Sequence, residues 1–229
     1  MLVLALDTSS PAVSAALVRV SAGSAVELVA ECVVVDGRRH GELLAQGLQQ
    51  VLAGRPPTEL AAVVVGTGPG PFTGLRVGLV TAAAMSDALS IPAYGVCSLD
   101  AVGAGSEALL RERREVVAVT DARRREVYWA RYDGGARVAG PAVAGPADLA
   151  DQLRALAVPP LLVGAGAVLH RDAFPGFELA VGPLHPSPLA LVQRAATRVL
   201  AREPADLLTP LYLRRPDAVE PGAGKRVTA

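Results

Sequence analysis

The sequence predicts two related α/β lobes, and three observations support this. Hydrophobic residues make up 51% of the 229 residues, which is enough for a sizeable core. Strand and helix patterns alternate along the chain. The pattern of the beginning also restarts near residue 115, because both starts combine an apolar strand ending in an aspartate, Asp7 or Asp121, with a polar turn and a second strand. We therefore expect an internal repeat.

The first half has the order β-β-β-α-β-α-β-α. After the first strand, DTSSP is typical of a turn, because Asp, Ser and Pro favour turns. Over residues 39–53 the leucines and valines fall on one helical stripe. A Gly/Pro loop at 66–71 separates a buried strand from the next helix. The predicted strands are 2–6, 12–20, 25–35, 61–65 and 93–97, and the predicted helices are 39–53, 72–89 and 99–113, the last capped by Ser98.

The second half continues with strands and helices of similar length. We predict strands at 115–121, 125–132 and 160–163, a GAG turn at 164–166, and helices at 147–157 and 188–202. The predicted division is an N-terminal lobe over 1–105, a C-terminal lobe over 106–215 and a tail over 216–229. We expect the tail to be mobile, because it has little apolar surface to bury.

Charge and cysteine content exclude several classes of protein. The chain has 22 basic and 22 acidic residues, so nucleic-acid binding by the chain alone is disfavoured. Two cysteines cannot form a disulfide framework or a Cys-rich zinc module. The N-terminus has no basic region before its apolar run, and no apolar stretch reaches membrane-spanning length. We expect a cytoplasmic protein without a signal peptide, membrane helix, metal or cofactor.

The loop GTGPGPFTGLR at 66–76 is the most informative segment, because it joins a buried strand to a helix. The free N–H groups of such a helix start favour an anion. The spacing is neither a Walker A loop nor a dinucleotide fingerprint, and a tight turn without ligand remains an equal alternative. Asp7, Thr8 and Ser9 could likewise position a metal-bound phosphate, or could form only an Asx turn.

Small residues recur along the helix at 72–89. Gly74, Gly78 and Ala82 are four residues apart, so they form a face that another helix can approach closely. One interpretation places helix 39–53 of the same lobe against this face. In the other, the two helices pack side by side and present a surface to a partner protein, with Leu43, Leu44 and Leu48 supplying apolar area.

Histidines and arginines give weaker signals. His40, His170 and His185 lack the spacing of a metal site. The arginines at 123–125 next to Tyr128, Trp129 and Tyr132 could bind RNA. The alternation of 125–132, however, favours packing of these rings into a sheet.

Five segments together resemble the TsaB family. They are DTSSPAVSAAL at 7–17, GTGPGPFTGLRVG at 66–78, AYGVCSLDAV at 93–102, DARRREVYWARY at 121–132 and PLYLRRPDA at 210–218. The resemblance implies an actin/sugar-kinase/Hsp70-like fold with two lobes, the second reduced. It also implies the role of dimerisation subunit in bacterial tRNA threonylcarbamoyladenosine (t6A) synthesis.

Partners and site residues are implied by the same resemblance. The partners would be the catalytic paralogue TsaD and the ATPase TsaE, with tRNA bound only through the complex and a homodimer when the chain is alone. TsaD has a histidine-rich metal motif where this chain has CSLDAVG at 97–103, so no catalytic residue carries over. The expected partner interface comprises His40, Leu43, Leu44, Leu48, Gly74, Arg76, Gly78 and Ala82. The expected vestigial phosphate-loop positions are Asp7, Thr8, Gly68, Gly70 and Thr73.

Two other functions compete with a non-catalytic subunit. An ATP-dependent phosphotransferase of the sugar-kinase-like superfamily would use Asp7 and the 66–76 loop for phosphates. A metallopeptidase would need a metal motif that the sequence lacks. We expect the chain alone neither to hydrolyse ATP nor to modify tRNA, and to bind tRNA weakly or not at all at physiological salt.

Overall fold

Residues 1–103 and 115–214 are described by a computed structural model of the chain, and they form two mixed β-sheets. The first part contains β1 (Leu2–Asp7), β2 (Ala12–Arg19), β3 (Glu27–Val35), α1 (His40–Val51), a 3-10 turn (Pro57–Glu59), β4 (Leu60–Gly66), α2 (Phe72–Leu89), β5 (Ala93–Val96) and α3 (Ser98–Gly103). The predicted elements therefore exist in the predicted order. The remainder of predicted helix 99–113 lies outside the described residues.

The second part contains one strand and one helix that the sequence did not predict. Its elements are β6 (Val116–Asp121), β7 (Val127–Asp133), β8 (Ala136–Ala144), α4 (Pro146–Arg154), β9 (Leu161–Val163), α5 (Ala165–Leu169), a 3-10 turn (Arg171–Ala173) and α6 (Pro188–Ala201). Strand β8 and helix α5 are the additions. Short α5 replaces the simple turn expected at the GAG sequence.

The two sheets repeat one topology. The first has strand order β3-β2-β1-β4-β5, and the second has order β8-β7-β6-β9. In each, the leading strand pairs antiparallel with its hairpin partner and parallel with a later strand. Asp7 and Asp121 end the two leading strands, at equivalent positions. The predicted two-lobed α/β fold, with a mixed sheet in each lobe and the smaller sheet in the second, is confirmed.

Helices cover both faces of the first sheet. Helices α1 and α2 lie on one face, where Leu44 and Leu75 pack against Leu4 and Leu6 of β1. On the other face lies α6, whose Leu191 and Val192 join the core around Val3 and Val64. This differs from the prediction that 106–215 form one lobe, because the last helix of that stretch belongs to the core of the first sheet.

The second sheet is likewise covered on both faces. Leu99 and Val102 of α3 pack on one face, and α4 and α5 cover the other. Helix α3 also contacts α6, so it joins the cores of the two sheets. The predicted boundary between residues 105 and 106 and the predicted mobile tail at 216–229 lie outside the described residues, and they stay predictions.

An extended strap over residues 203–214 follows α6 and joins the two lobes. The backbone N–H of Asp206 donates to the Ala93 carbonyl (2.9 Å), and the N–H of Leu211 donates to the Thr67 carbonyl (2.9 Å). At its end, the Arg214 guanidinium donates to the Ala122 carbonyl (2.6 Å) in the second lobe. The strap thus runs along the β5 edge of the first sheet and ends at the turn between β6 and β7.

Candidate functional site

The turn after β1 is held together by a buried carboxylate. Asp7 is fully buried, and its Oδ1 accepts hydrogen bonds from the Ser9 amide (2.8 Å) and the Ser9 hydroxyl (2.7 Å). Its Oδ2 accepts a hydrogen bond from the Ser98 hydroxyl (2.6 Å), which itself accepts from the Gly68 amide (3.1 Å). Ser98 is therefore the first residue of α3, but its hydroxyl bonds to β1 and to the glycine loop instead of capping the helix. The carboxylate is used for internal bonding.

Burial is the main influence on the pKa of this carboxyl. Removal from water raises the pKa of Asp7 above its usual value of 3.8, and the hydrogen bonds from Ser98 and Ser9 offset this only in part. The folded chain therefore holds the proton more tightly than the unfolded chain. It follows that the charged form of Asp7 costs stability at neutral pH.

Asp7→Asn should accordingly change how stability depends on pH. In the wild-type chain the contribution of Asp7 to the free energy of unfolding is largest below pH 3.8 and falls as pH rises through the raised pKa. The asparagine variant lacks this titration. Its free energy of unfolding, measured by urea denaturation, should rise relative to wild type between acid and neutral pH. Parallel pH profiles of the two proteins would contradict this account.

The glycine loop 66–71 is pressed against that turn. A Cβ atom placed at Gly66 would overlap the Asp7 carboxylate and lie 2.6 Å from the Ser98 hydroxyl oxygen. A Cβ at Gly70 would overlap the Ser9 carbonyl. Gly68 has φ +90°, a conformation that disfavours other residues. The structure thus brings together Asp7, Thr8, Gly68 and Gly70 of the expected phosphate positions, whereas Thr73 is exposed on α2.

The glycine stripe of α2 faces inward. The Thr8 hydroxyl donates to the Gly74 carbonyl (2.7 Å) and accepts from the Gly78 amide (3.0 Å). A Cβ at Gly74 would lie 2.6 Å from the Thr8 carbonyl oxygen, and one at Gly78 would lie 2.5 Å from the Thr8 hydroxyl. Ala82 is also fully buried. The predicted outward placement of Gly74, Gly78 and Ala82 is therefore wrong, because the β1 turn lies against the two glycines and Ala82 is buried in the core of the first sheet.

The other expected interface residues are divided between core and surface. Leu43 and Leu44 are buried in the core of the first sheet, which corrects their placement on the surface, and Leu48 is half-buried against that core. The half-buried His40 ring lies 3.1 Å from the Ser10 carbonyl oxygen. Arg76 is exposed, so it is accessible to a partner. Helices α1 and α2 do lie side by side on one face of the sheet.

A second stripe of α2 faces outward, and the sequence analysis missed it. Val80 is 66% exposed, and Ala84 and Ala88 follow it at four-residue spacing with exposed side chains. Together with Met85 and Pro57 they line an open, largely apolar groove of about 450 Å³. The four-residue spacing that relates Gly74, Gly78 and Ala82 also relates a second set of residues on α2: Arg76, Val80, Ala84 and Ala88. Sequence alone could not say which of the two stripes faces the sheet.

A cavity of about 310 Å³ lies between the two leading hairpins. Ser9, Ser10 and Pro71 line it from the first lobe, and Asp121 and Arg123 line it from the second. Apolar side chains from α5 and residue Leu184 form most of the remainder. Asp7 does not line the cavity, so its carboxylate cannot reach a ligand there without breaking its internal hydrogen bonds.

The hairpin between β6 and β7 has an unusual backbone. Arg123, Arg124 and Arg125 have φ of 63°, 51° and 60°, which is the left-handed region that side chains disfavour. The ring-bearing residues that follow point elsewhere, because Tyr128 and Tyr132 are buried in the second sheet. The arginines alone therefore remain on the surface of this turn.

Replacing Arg125 by glycine should stabilise the chain by about 1 kcal/mol, because glycine adopts the left-handed conformation without steric cost. Urea denaturation of the two proteins measures the difference. Arg38→Gly is the matched control, since Arg38 is exposed and does not have a positive φ. We expect that control to be neutral or destabilising. Equal changes in both variants would contradict a conformational origin.

The segment 97–103 is occupied by internal contacts. Asp100 Oδ1 accepts from the Tyr132 hydroxyl (2.9 Å) and the Arg137 guanidinium (2.9 Å). Burial raises the pKa of the Cys97 thiol to about 11, so this thiol stays protonated. A Cβ at Gly103 would overlap the Tyr132 ring. These contacts fasten α3 to the second sheet.

The three histidines lie apart from one another. His40 is at the β1 turn, His170 Nε2 lies 3.8 Å from Asp121 Oδ1, and His185 lines the cavity, where burial lowers its pKa. Within residues 1–103 and 115–214, no group of three or more His, Cys, Asp and Glu side chains could hold a metal ion. Among the helices of these two ranges, none combines the length and the hydropathy that a membrane-spanning segment requires.

Comparison with known families identifies the chain. The family model described as TsaD, tRNA N6-adenosine threonylcarbamoyltransferase, matches residues 32–165, which is more than half of the sequence. The chain belongs to the TsaD family. Within this family it is TsaB-like, as the following relatives show.

Relatives cover the chain to different extents. An uncharacterized protein of Mycobacterium tuberculosis is 49% identical over 218 residues, covering 94% of this chain and 93% of the relative. TsaB of Escherichia coli, named as a tRNA threonylcarbamoyladenosine biosynthesis protein, is 34% identical over 135 residues, covering 58% of this chain and 55% of the relative. The structure of YeaZ from Pseudomonas aeruginosa is 26% identical with a TM-score of 0.72, covering 93% and 99% of the two chains.

Proposed function

We propose that this TsaB-like chain acts in t6A biosynthesis as a non-catalytic subunit that binds and stabilises the catalytic paralogue TsaD. The exposed apolar stripe of α2, formed by Val80, Ala84 and Ala88, carries the proposal. Helix α2 has 18 residues and only two charges, Arg76 and Asp87. Apolar patches kept on a surface usually mark a binding site.

The shape of this stripe suits another helix. Small side chains at four-residue spacing let a partner helix approach closely, and the groove beside Met85 can receive a larger side chain. Helix α1 lies next to α2 and presents the polar residues Glu42, Gln46 and Gln49 outward. We propose that α1 and α2 pack against the matching helix pair of TsaD. In the absence of TsaD, the same stripe could pair with a second copy of the chain.

The non-catalytic role is supported by the β1 turn. In a phosphotransferase of this fold, Asp7 and the glycine loop would hold metal and phosphate. Here the carboxylate accepts three hydrogen bonds from Ser9 and Ser98, and the glycine loop packs directly against Asp7. Asp7 does not line the cavity between the hairpins, and this argues against the phosphotransferase alternative. The ATPase TsaE and tRNA would then join through the complex, in the cytoplasm.

Activity assays on purified proteins test this role. The chain alone should neither hydrolyse ATP nor modify tRNA, and adding it to TsaD and TsaE should raise threonylcarbamoyl transfer to tRNA. Asp7→Asn should support transfer as well as wild type does, because Asp7 takes no part in the chemistry. Turnover by the isolated chain, abolished in Asp7→Asn, would instead establish the phosphotransferase.

A further inference from the structure

Two arginine-bearing turns, distant in sequence, meet beside the cavity that lies between the two leading hairpins. We call the surface formed by these two turns the arginine mouth. One follows β3 and carries Arg38 and Arg39, and the other is the 123–125 hairpin turn. A Cβ atom at Gly37 would lie 3.6 Å from an Arg123 guanidinium nitrogen, so the turns touch. Arg123 also lines the cavity beneath.

Positive charge is in excess at this mouth. Arg39 pairs with Asp36 (2.9 Å) and Glu42 (3.6 Å), and Arg123 Nε lies 3.8 Å from Asp121 Oδ2. Arg38 and Arg125 are exposed, and neither has a carboxylate within ion-pair distance among residues 1–103 and 115–214. The chain is neutral overall, so this excess is a local asymmetry.

An exposed stack of planar groups lies beside the mouth. The Arg76 guanidinium is 3.8 Å from the centroid of the Phe72 ring, and Phe72 stacks on Tyr212 with centroids 5.2 Å apart. Phe72 and Tyr212 are 48% and 41% exposed. Phe72 follows Pro71, which lines the cavity, so the stack begins at the cavity wall. Two residues after Tyr212, Arg214 donates to Ala122 at the base of the hairpin.

We propose that this mouth is an RNA-binding surface. Arg38 and Arg125 would neutralise backbone phosphates, and an unpaired base would continue the stack on Tyr212. An acidic protein surface would use the arginines but would not need the aromatic stack, which is why the observations favour RNA. The inference rests on the proposed function only for identifying the RNA as tRNA. In the complex the surface would supplement the contacts that TsaD makes.

Fluorescence anisotropy with a labelled RNA hairpin that has an unpaired loop tests the surface on the isolated full-length chain. We expect measurable binding at about 50 mM salt that weakens steeply toward about 150 mM. The double variant Arg38→Glu/Arg125→Glu should weaken RNA binding at least tenfold at low salt. It should also reduce the slope of log binding constant against log salt concentration by about 1.4, because two phosphate contacts are lost at about 0.7 each. Tyr212→Ala should weaken binding roughly fivefold or more, whereas Tyr212→Phe should not.

The control is Arg55→Glu/Arg202→Glu, which makes the same change of charge at the opposite end of the first sheet. Arg55 precedes β4, and Arg202 lies beside Met1 and Pro92. This control should bind RNA nearly as wild type does, and thermal unfolding confirms that each variant is folded. Equal losses in the two double variants, or no binding at low salt, would overturn the proposal.

A competition assay separates RNA from an acidic protein. If polyglutamate displaced the hairpin at equal charge concentration and Tyr212→Ala had no effect, the surface would recognise acidic protein and the RNA assignment would be wrong. None of these measurements uses TsaD. Failure of TsaD binding and failure of RNA binding are therefore distinguishable.

Discussion

Replacing Gly66 by alanine is expected to prevent folding, or to lower the free energy of unfolding by about 4 kcal/mol or more. The added methyl group would occupy the position of the Asp7 carboxylate and crowd the Ser98 hydroxyl. Relief requires moving a buried carboxylate away from Ser9 and Ser98. Each hydrogen bond lost to a charged group costs about 1.5–3 kcal/mol, in addition to the cost of overpacking.

Urea denaturation measures this effect, with soluble yield as the fallback where the variant does not fold. Gly41→Ala is the control, because nothing lies within 4 Å of a Cβ atom at Gly41 on α1. That substitution should be neutral or should stabilise the chain by up to about 1 kcal/mol through helix propensity. A Gly66→Ala variant as stable as the Gly41→Ala variant would show that the β1 turn is not closed as described.

The second large effect concerns partner binding. Val80→Arg and Ala84→Arg place a charge on the outward stripe of α2. Because an unpaired charge buried in an apolar interface costs several kcal/mol, the affinity for TsaD should fall by about 100-fold or more. The free energy of unfolding should change by less than about 0.5 kcal/mol, because Val80 and Ala84 are exposed.

Gly78→Leu gives the opposite result and serves as the matched comparison. Its side chain would collide with Thr8, so the monomer should lose roughly 1–3 kcal/mol of stability. Affinity per folded molecule should stay near that of wild type. If instead Gly78→Leu blocked binding without loss of stability, the glycine stripe would face outward after all.

The fold could be predicted largely from local patterns. Strands β1 and β4 are continuous apolar runs, and α2 begins and ends where the loop and the period predicted. The repeat was visible because both leading strands end in aspartate. By contrast, β8 was missed, because ARVAGPAVA contains glycine and proline and shows no clear alternation.

The site depends on contacts that a local pattern cannot show. Helix α2 has two apolar stripes, and Thr8, 66 residues before Gly74, decides which of them is buried. The strap is fixed where Asp206 and its ion-pair partner Arg198 bond to the backbone of Gly95, which lies 111 and 103 residues earlier in the chain. The arginine mouth consists of the turn after β3 and the turn between β6 and β7, and these two turns come into contact only because the two lobes pack together.

Sedimentation velocity of the chain mixed with TsaD from the same organism tests the central claim most directly. The account predicts a stable complex of the wild-type chain with TsaD, its loss in Val80→Arg and Ala84→Arg, and its retention in the folded fraction of Gly78→Leu. A wild-type chain that sediments separately from TsaD, or a Val80→Arg variant that binds as tightly as wild type, would contradict it.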